Sequence, residues 1–192
     1  SNAKGQLYLF NEDNSPVKKS KLAVVKNFKN VVKVACGQNH TLVLMANGEL
    51  YGFGDNRYKQ ICMTVDEPII YQPQRICFYE HIPRESRILC GWTHNALLTN
   101  DGKALLWGRN NYSQLTGTSS GPVVVDDVVL LALGSEHCIS ICSKNALHTW
   151  GWNEHNNCGI PNCDIVSEKS FLANNCLKVG AGYGYSFAVL CS

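Results

Sequence analysis

The chain has 192 residues, 45% of them apolar and 17% charged, with a formal net charge of +2. That length and apolar content suit one domain with a real core, and the charge balance excludes a global pull toward nucleic acid or a membrane surface. The longest apolar run, Val128 to Leu133, is far shorter than the roughly 20 residues that a spanning helix needs.

Ser1-Asn2-Ala3 reads as an expression scar, leaving residues 4–192 as a single domain. Lys4 to Phe10 (KGQLYLF) reads as a strand, followed by a turn from Asn11 to Pro16 and an outer strand from Leu22 to Val25. Six lysines fall between Lys18 and Lys33, with no acid between Asp13 and Glu49. A basic face for RNA or an acidic partner is one reading. A solvated, lysine-protected outer strand is the other, and it is favoured.

Val34 to Asn56 (VACGQNHTLVLMANGELYGFGDN) sets the pattern for the rest of the chain. It runs strand, Cys-Gly turn, His, second strand, Asn-Gly turn, third strand, and a Gly-Asp-Asn loop. Degenerate copies follow at Ile88 to Asn110, at Leu131 to Asn153, and from Val179 onward. The turn glycines are Gly37, Gly91, Gly134 and Gly182; three positions later stand His40, His94, His137 and Tyr185. Third strands start at Gly48, Gly102 and Asn145 and end on Phe53, Trp107 and Trp150, with Gln60, Gln114 and Asn157 in the loop beyond. Several independent positions in one register mark a repeat architecture.

Within a unit, His40 to Met45 is apolar on both faces, as in a strand buried between layers. Asn47-Gly48 and Asp101-Gly102 are hairpin turns. The spacers add an outer strand at Gln74 to Phe78 and another at Gly121 to Val125, while Pro161 to Ser170 reads as loop. The fold class is therefore all-β: a β-propeller of four-stranded antiparallel blades in four repeat units. The last unit stops after its second strand, and Gly5 to Phe10 matches a third strand. A composite blade closed by the N- and C-termini is the expectation, which would protect the exposed edges.

The ten cysteines read as reduced. Cys36 and Cys90 share one repeat position with Ala181, a slot for a small buried residue. Cys138 and Cys142 would lie roughly 13 Å apart along a strand, too far to share a metal ion. His155, Cys158 and Cys163 are only three candidate ligands, and a closed zinc site wants four. No metal and no cofactor is expected. The recurring histidines read as blade-to-blade hydrogen-bonding groups rather than catalytic ones, and the chain reads as a non-enzyme.

These residues resemble the regulator-of-chromosome-condensation repeat family, in its ACG-x-x-H-T turn, its G-x-L-Y-x-W-G strand and its N-x-x-x-Q loop. The resemblance covers nearly the whole chain. Gly134 to His137 (GSEH) with Gly151 to Gly159 (GWNEHNNCG) is similar to two branches of that family. One is the killer-toxin-insensitivity propellers, which bind a small zinc protein of the diphthamide and Elongator tRNA-modification pathways. The other is the secretion-regulating guanine nucleotide exchange factors. The first implies an adaptor supporting tRNA wobble-uridine and diphthamide modification; the alternative is an exchange factor for a small GTPase. Family propellers usually have seven blades, and four units are counted here.

In an up-and-down blade, the loops after the first and third strands emerge on one face. That face would carry Gln38, Asn39, Trp92, Thr93, Glu136 and Tyr183 from the first set of loops. The candidate partner-binding residues are Arg57, Tyr58, Trp92, Arg109, Tyr112, Trp152, Glu154 and His155, because aromatics with arginine dominate binding hot spots. A protein partner, no membrane, no direct nucleic-acid binding, and a place in the cytoplasm or nucleus complete the reading.

Overall fold

A computed structural model describes residues 2–11, 13, 15–17, 24–25, 28–78, 81–119 and 121–191. Blade 1 is built from β1 (Val31–Cys36), β2 (His40–Met45), β3 (Leu50–Asp55) and β4 (Ile69–Ile76). Blade 2 holds β5 (Arg87–Cys90), β6 (His94–Leu98), β7 (Ala104–Gly108) and β8 (Val123–Val125). Blade 3 holds β9 (Leu130–Leu133), β10 (His137–Ile141), β11 (Leu147–Trp152) and β12 (Ile165–Ala173). The fourth unit contributes β13 (Cys176–Ala181) and β14 (Ser186–Leu190), paired as a two-stranded sheet. Strands are antiparallel and adjacent in chain order in every sheet. The molecule is an all-β propeller of four repeat units, and among the described residues no helix is long and apolar enough to cross a membrane.

The hairpins form where the turn chemistry demands them. Gly48 and Gly102 hold φ of +82° and +80°, and Asn145 takes the same turn position at +59°. Glycine and asparagine tolerate that left-handed region best. The first strands β1, β5, β9 and β13 lie nearest one another, and the fourth strands lie outermost. The second strands β6 and β10 are buried throughout, as expected for strands packed on both faces.

The core lies between blades rather than within them. Leu42, Leu44, Leu50 and Ile76 of blade 1 pack on Ile88, Leu97, Leu105 and Trp107 of blade 2. Blades 2 and 3 meet through Ala96, Leu106, Cys138 and Trp150. Each histidine bridges to the next unit. His40 Nε2 lies 2.6 Å from Asn95 Oδ1, His94 Nε2 lies 3.5 Å from Cys138 Sγ, and His137 Nε2 lies 2.9 Å from Ser186 Oγ. Asn95, Cys138 and Ser186 hold one repeat position, so the same bridge recurs three times. Burial holds all three imidazoles below their ordinary pKa, His94 at about 3 and His137 at about 4. At the adjoining turns a Cβ on Gly37 or Gly91 would sit 2.7 or 2.8 Å from the carbonyl oxygen of the next unit's glycine. Glycine there sets how closely the units approach.

Several expectations are corrected. Among the described residues the termini do not form a composite blade: the segment around Gln6 packs on blade 1, and β14 pairs with β13 alone. The reason lies in register. Asn2 and Gln6 repeat the N-x-x-x-Q loop, not the third strand. Asn2 Oδ1 accepts from Leu7 N, as Asn110 Oδ1 accepts from Leu115 N and Asn153 Oδ1 from Cys158 N. Lys4 N donates to Gln6 Oε1 as Tyr58 N does to Gln60 Oε1, and Thr41 Oγ1 donates to Gln6 O. Asn2 is thus built into the fold, 1% exposed.

The outer strand of blade 1 starts at Ile69, earlier than expected, and Pro161 to Ser170 is not all loop, since β12 occupies Ile165–Ala173. An outermost strand with one solvated side reads as polar loop in sequence. Val24 and Val25 lie outside any strand; Leu22, Ala23 and four of the lysines, Lys18, Lys19, Lys21 and Lys26, lie outside the described residues. No disulfide joins the cysteines, but Cys36 is exposed on the innermost strand rather than buried. Among the described residues no group of three or more metal-ligating side chains gathers.

Candidate functional site

The loops after the first and third strands do emerge together. A relay of main-chain hydrogen bonds joins the first set across all four units: Gln38 N to Trp92 O at 3.1 Å, Trp92 N to Ser135 O at 2.9 Å, and Ser135 N to Tyr183 O at 3.0 Å. The second set is anchored to it, for example by Arg109 N to Thr93 O at 3.0 Å and Trp152 N to Glu136 O at 2.9 Å. The loops enclose a mouth-like cavity of about 290 Å³.

Seven of the eight sequence-derived candidates line this cavity: Arg57, Tyr58, Trp92, Arg109, Tyr112, Trp152 and Glu154. His155 does not line it. It stands just outside, its ring 5.1 Å from that of Trp152 in an edge-on contact, and it borders a second cavity beside β14. Lys29 and Lys33, the described lysines of the basic run, are not part of the lining.

Arg109 is the centre of the arrangement. Its guanidinium carbon lies 4.5 Å from the ring centroid of Tyr58 and 4.8 Å from that of Tyr112. Two cation–π contacts hold it in place. Behind it Nη1 lies 3.4 Å from Glu136 Oε1, and that carboxylate is 5% exposed. Glu136 also accepts from Thr93 Oγ1, at 2.8 and 2.9 Å to its two oxygens, and from Gln114 Nε2. A buried carboxylate needs such partners to offset its lost hydration. The outcome is a guanidinium fixed in direction with part of its surface still open.

The aromatic side chains form the walls. Trp92 meets Tyr183 edge-on with centroids 4.3 Å apart. Trp152 lies 6.4 Å from Tyr112, and its indole Nε1 donates to Glu154 Oε2 at 3.1 Å. At the rim Arg57 makes a bidentate pair with buried Asp55, Nε to Oδ1 at 2.9 Å and Nη2 to Oδ2 at 2.6 Å. Burial pushes the Asp55 carboxyl up, but the Arg57 hydrogen bonds and charge outweigh it and leave the pKa below its ordinary value. The site thus offers rigid aromatic faces, two oriented cations and one exposed carboxylate.

Loop order alone placed Glu136 on this face, without the role of holding Arg109; Gln114, which donates to Glu136, was not assigned to the face. Glu136 reads in sequence as one polar loop residue among several. Gln114 carries a usable signal, because it recurs as Gln60 and Asn157.

The fold and the mouth define a repeat propeller with a loop-built, cavity-bearing face. The regulator of chromosome condensation (RCC1) repeat model matches residues 31–60 and 88–114. The chain belongs to that family of RCC1-like propellers. It is 31% identical over 193 residues to the secretion-regulating guanine nucleotide exchange factor of Bos taurus, covering 82% of this chain and 40% of that protein. It is 27% identical to the ultraviolet-B receptor UVR8 of Arabidopsis thaliana, over 83% of this chain and 39% of the receptor. Among solved structures, Prp20p of Saccharomyces cerevisiae superposes with a TM-score of 0.82 at 18% identity, covering all of this chain and 51% of that one. The chain therefore spans less than half the length of these curated relatives and about half of that propeller.

Proposed function

We propose that this protein is a non-catalytic binding propeller whose mouth holds a protein partner, and that the partner is a small GTPase. The observation that carries the binding reading is Arg109, clamped between Tyr58 and Tyr112 over the buried Glu136. Arginine and aromatic side chains held rigid in a recess are what a protein hot spot requires. The three repeat histidines are engaged in joining units, which supports a role in binding rather than chemistry. The GTPase is suggested by the relatives in cattle and mouse, 31% and 29% identical, both of which are named guanine nucleotide exchange factors.

The second reading is the adaptor for tRNA and diphthamide modification, with a small zinc protein as partner. It rests on the loop from Trp152 to His155, where the sequence resembles that branch of the family. On either reading the protein works in the cytoplasm or nucleus.

The test is release of a fluorescent guanine nucleotide from a panel of small GTPases, with and without the protein. The reading expects release from one of them to accelerate and Arg109→Ala or Trp152→Ala to abolish the effect at an unchanged melting temperature. Losing a central anchor of about 2 kcal/mol weakens binding roughly thirty-fold. If no GTPase responds and none is captured, the GTPase reading fails. Capture of the zinc protein by the intact chain, lost in Trp152→Ala, would then support the adaptor.

A further inference from the structure

The mouth holds one arginine of its own, and the way it does so shows what a second would need. Arg109 lies against the rings of Tyr58 and Tyr112, with the Glu136 carboxylate behind it. The same cavity is lined further along by Trp92, Trp152 and Glu154, aromatic faces with a carboxylate again. Of the four charged side chains in the lining, three are paired within the protein, Arg57 with Asp55 and Arg109 with Glu136. The fourth, Glu154, has no ion-pair partner among the described residues.

Glu154 is nevertheless held in direction. Trp152 Nε1 donates to its Oε2 at 3.1 Å, and Trp152 N is itself tied to Glu136 O at 2.9 Å. Between the two stands Asn153, 1% exposed, whose Nδ2 donates to Ile160 O at 2.6 Å and to Cys163 O at 2.7 Å and so braces the loop. The carboxylate stands exposed on this braced loop, beside an indole whose N–H is already used. Trp92 and Tyr112 belong to blade 2, Trp152 and Glu154 to blade 3, and each of these blades packs against a unit on either side. This part of the mouth is therefore interior to the row of units.

On the reading that the mouth seats a protein partner, we propose that Trp152 and Glu154 form a subsite for an arginine side chain of that partner. Its guanidinium stacks on the Trp152 indole and pairs with Glu154, as Arg109 lies against tyrosine rings and pairs with Glu136. A planar guanidinium suits the place better than an ammonium, because it stacks and pairs at once and is more weakly hydrated. The same fixed carboxylate disfavours an acidic side chain there, which makes Glu154 a residue of selection as well as of attraction.

The probe is the capped tripeptide acetyl-Gly-Arg-Gly-amide, titrated into the intact isotope-labelled protein while the tryptophan indole N–H signals are followed by NMR. The Trp152 signal should move to saturation, while those of Trp107 and Trp150, fully buried between blades, stay in place. A peptide with citrulline in place of arginine keeps the shape and loses the charge. It should bind about ten-fold more weakly, since the ion pair and the cation–π contact both go. Glu154→Gln in the protein should weaken the arginine peptide about five-fold and leave the citrulline peptide unchanged. Absence of saturable movement at Trp152, equal binding of the arginine and citrulline peptides, or no loss in Glu154→Gln would each overturn the proposal. So would an aspartate peptide that binds more tightly than the arginine one, because Arg109 would then be the selecting group. No GTPase takes part in this titration, so its failure leaves the nucleotide-release test of the mouth standing, and silence from every GTPase leaves the titration standing.

Discussion

The histidine bridges make stability depend on pH with a calculable size. An unfolded histidine titrates near 6.5. In the folded protein burial holds His94 at about 3 and His137 at about 4. The folded pKa lies below the unfolded one, so the unfolded chain takes up the proton first as pH falls. The stabilisation is complete above about 6.5 and is lost as pH drops toward the folded values. Between pH 7 and pH 5 each such histidine removes about 2 kcal/mol of unfolding free energy, and the two together about 4. Against a total on the order of 5–15 kcal/mol, that brings the fold close to its limit. The measurement is urea unfolding at several pH values, followed by fluorescence of the four tryptophans, for the wild type and His94→Gln. The variant will be less stable at every pH, but its loss between pH 7 and 5 should be smaller by about 2 kcal/mol. Taking that difference cancels the baseline effect of the substitution. An identical loss in both proteins would mean that His94 is accessible to protons in the fold, and the bridge account would fail.

Trp107→Ala should cost about 3–5 kcal/mol, since it empties a fully buried site between blades 1 and 2 and leaves Gln60 O without its indole donor; thermal and urea unfolding measure it. Asn2→Ala should lower stability by about 1–3 kcal/mol, because Asn2 is buried, donates to Leu9 O and accepts from Leu7 N. A change below about 0.5 kcal/mol, read in the same urea series, would show that the segment is not built in. Gly91→Ala should destabilise the fold, because the added Cβ would sit 2.2 Å from His94 Cε1 and 2.8 Å from Gly134 O; Gly121→Ala, with nothing within 4 Å, serves as its control.

The repeat, the strands and the mouth were readable because each rests on a local rule used several times. Turn residues at Gly48, Gly102 and Asn145, the double-sided apolar run at His40 to Met45, and loop order within a blade need no tertiary information. They were enough to bring Arg57, Tyr58, Trp92, Arg109, Tyr112, Trp152 and Glu154 to one cavity. The N-terminal register was not read correctly. KGQLYLF alternates like a third strand, and the competing N-x-x-x-Q signal begins at Asn2, inside the tripeptide set aside as a scar. Its spacing from Asn2 to Gln6 matches that of Asn110 to Gln114 and would have given the answer. The role of Glu136 escaped for another reason: a carboxylate that accepts from Thr93 and Gln114 and pairs with Arg109 is defined by three loops meeting in space. No single window of sequence contains them.

The relay from Gln38 through Trp92 and Ser135 to Tyr183 uses only peptide groups. Four unlike residues stand at one repeat position, and the bonds between them do not depend on what their side chains are. Spacing at the mouth is therefore decoupled from the chemistry displayed there. A glutamine can become a tryptophan, or a serine a tyrosine, while the loops keep their separation. A propeller assembled this way can change what it recognises one side chain at a time, each change judged on affinity alone, with the framework neither loosened nor rebuilt.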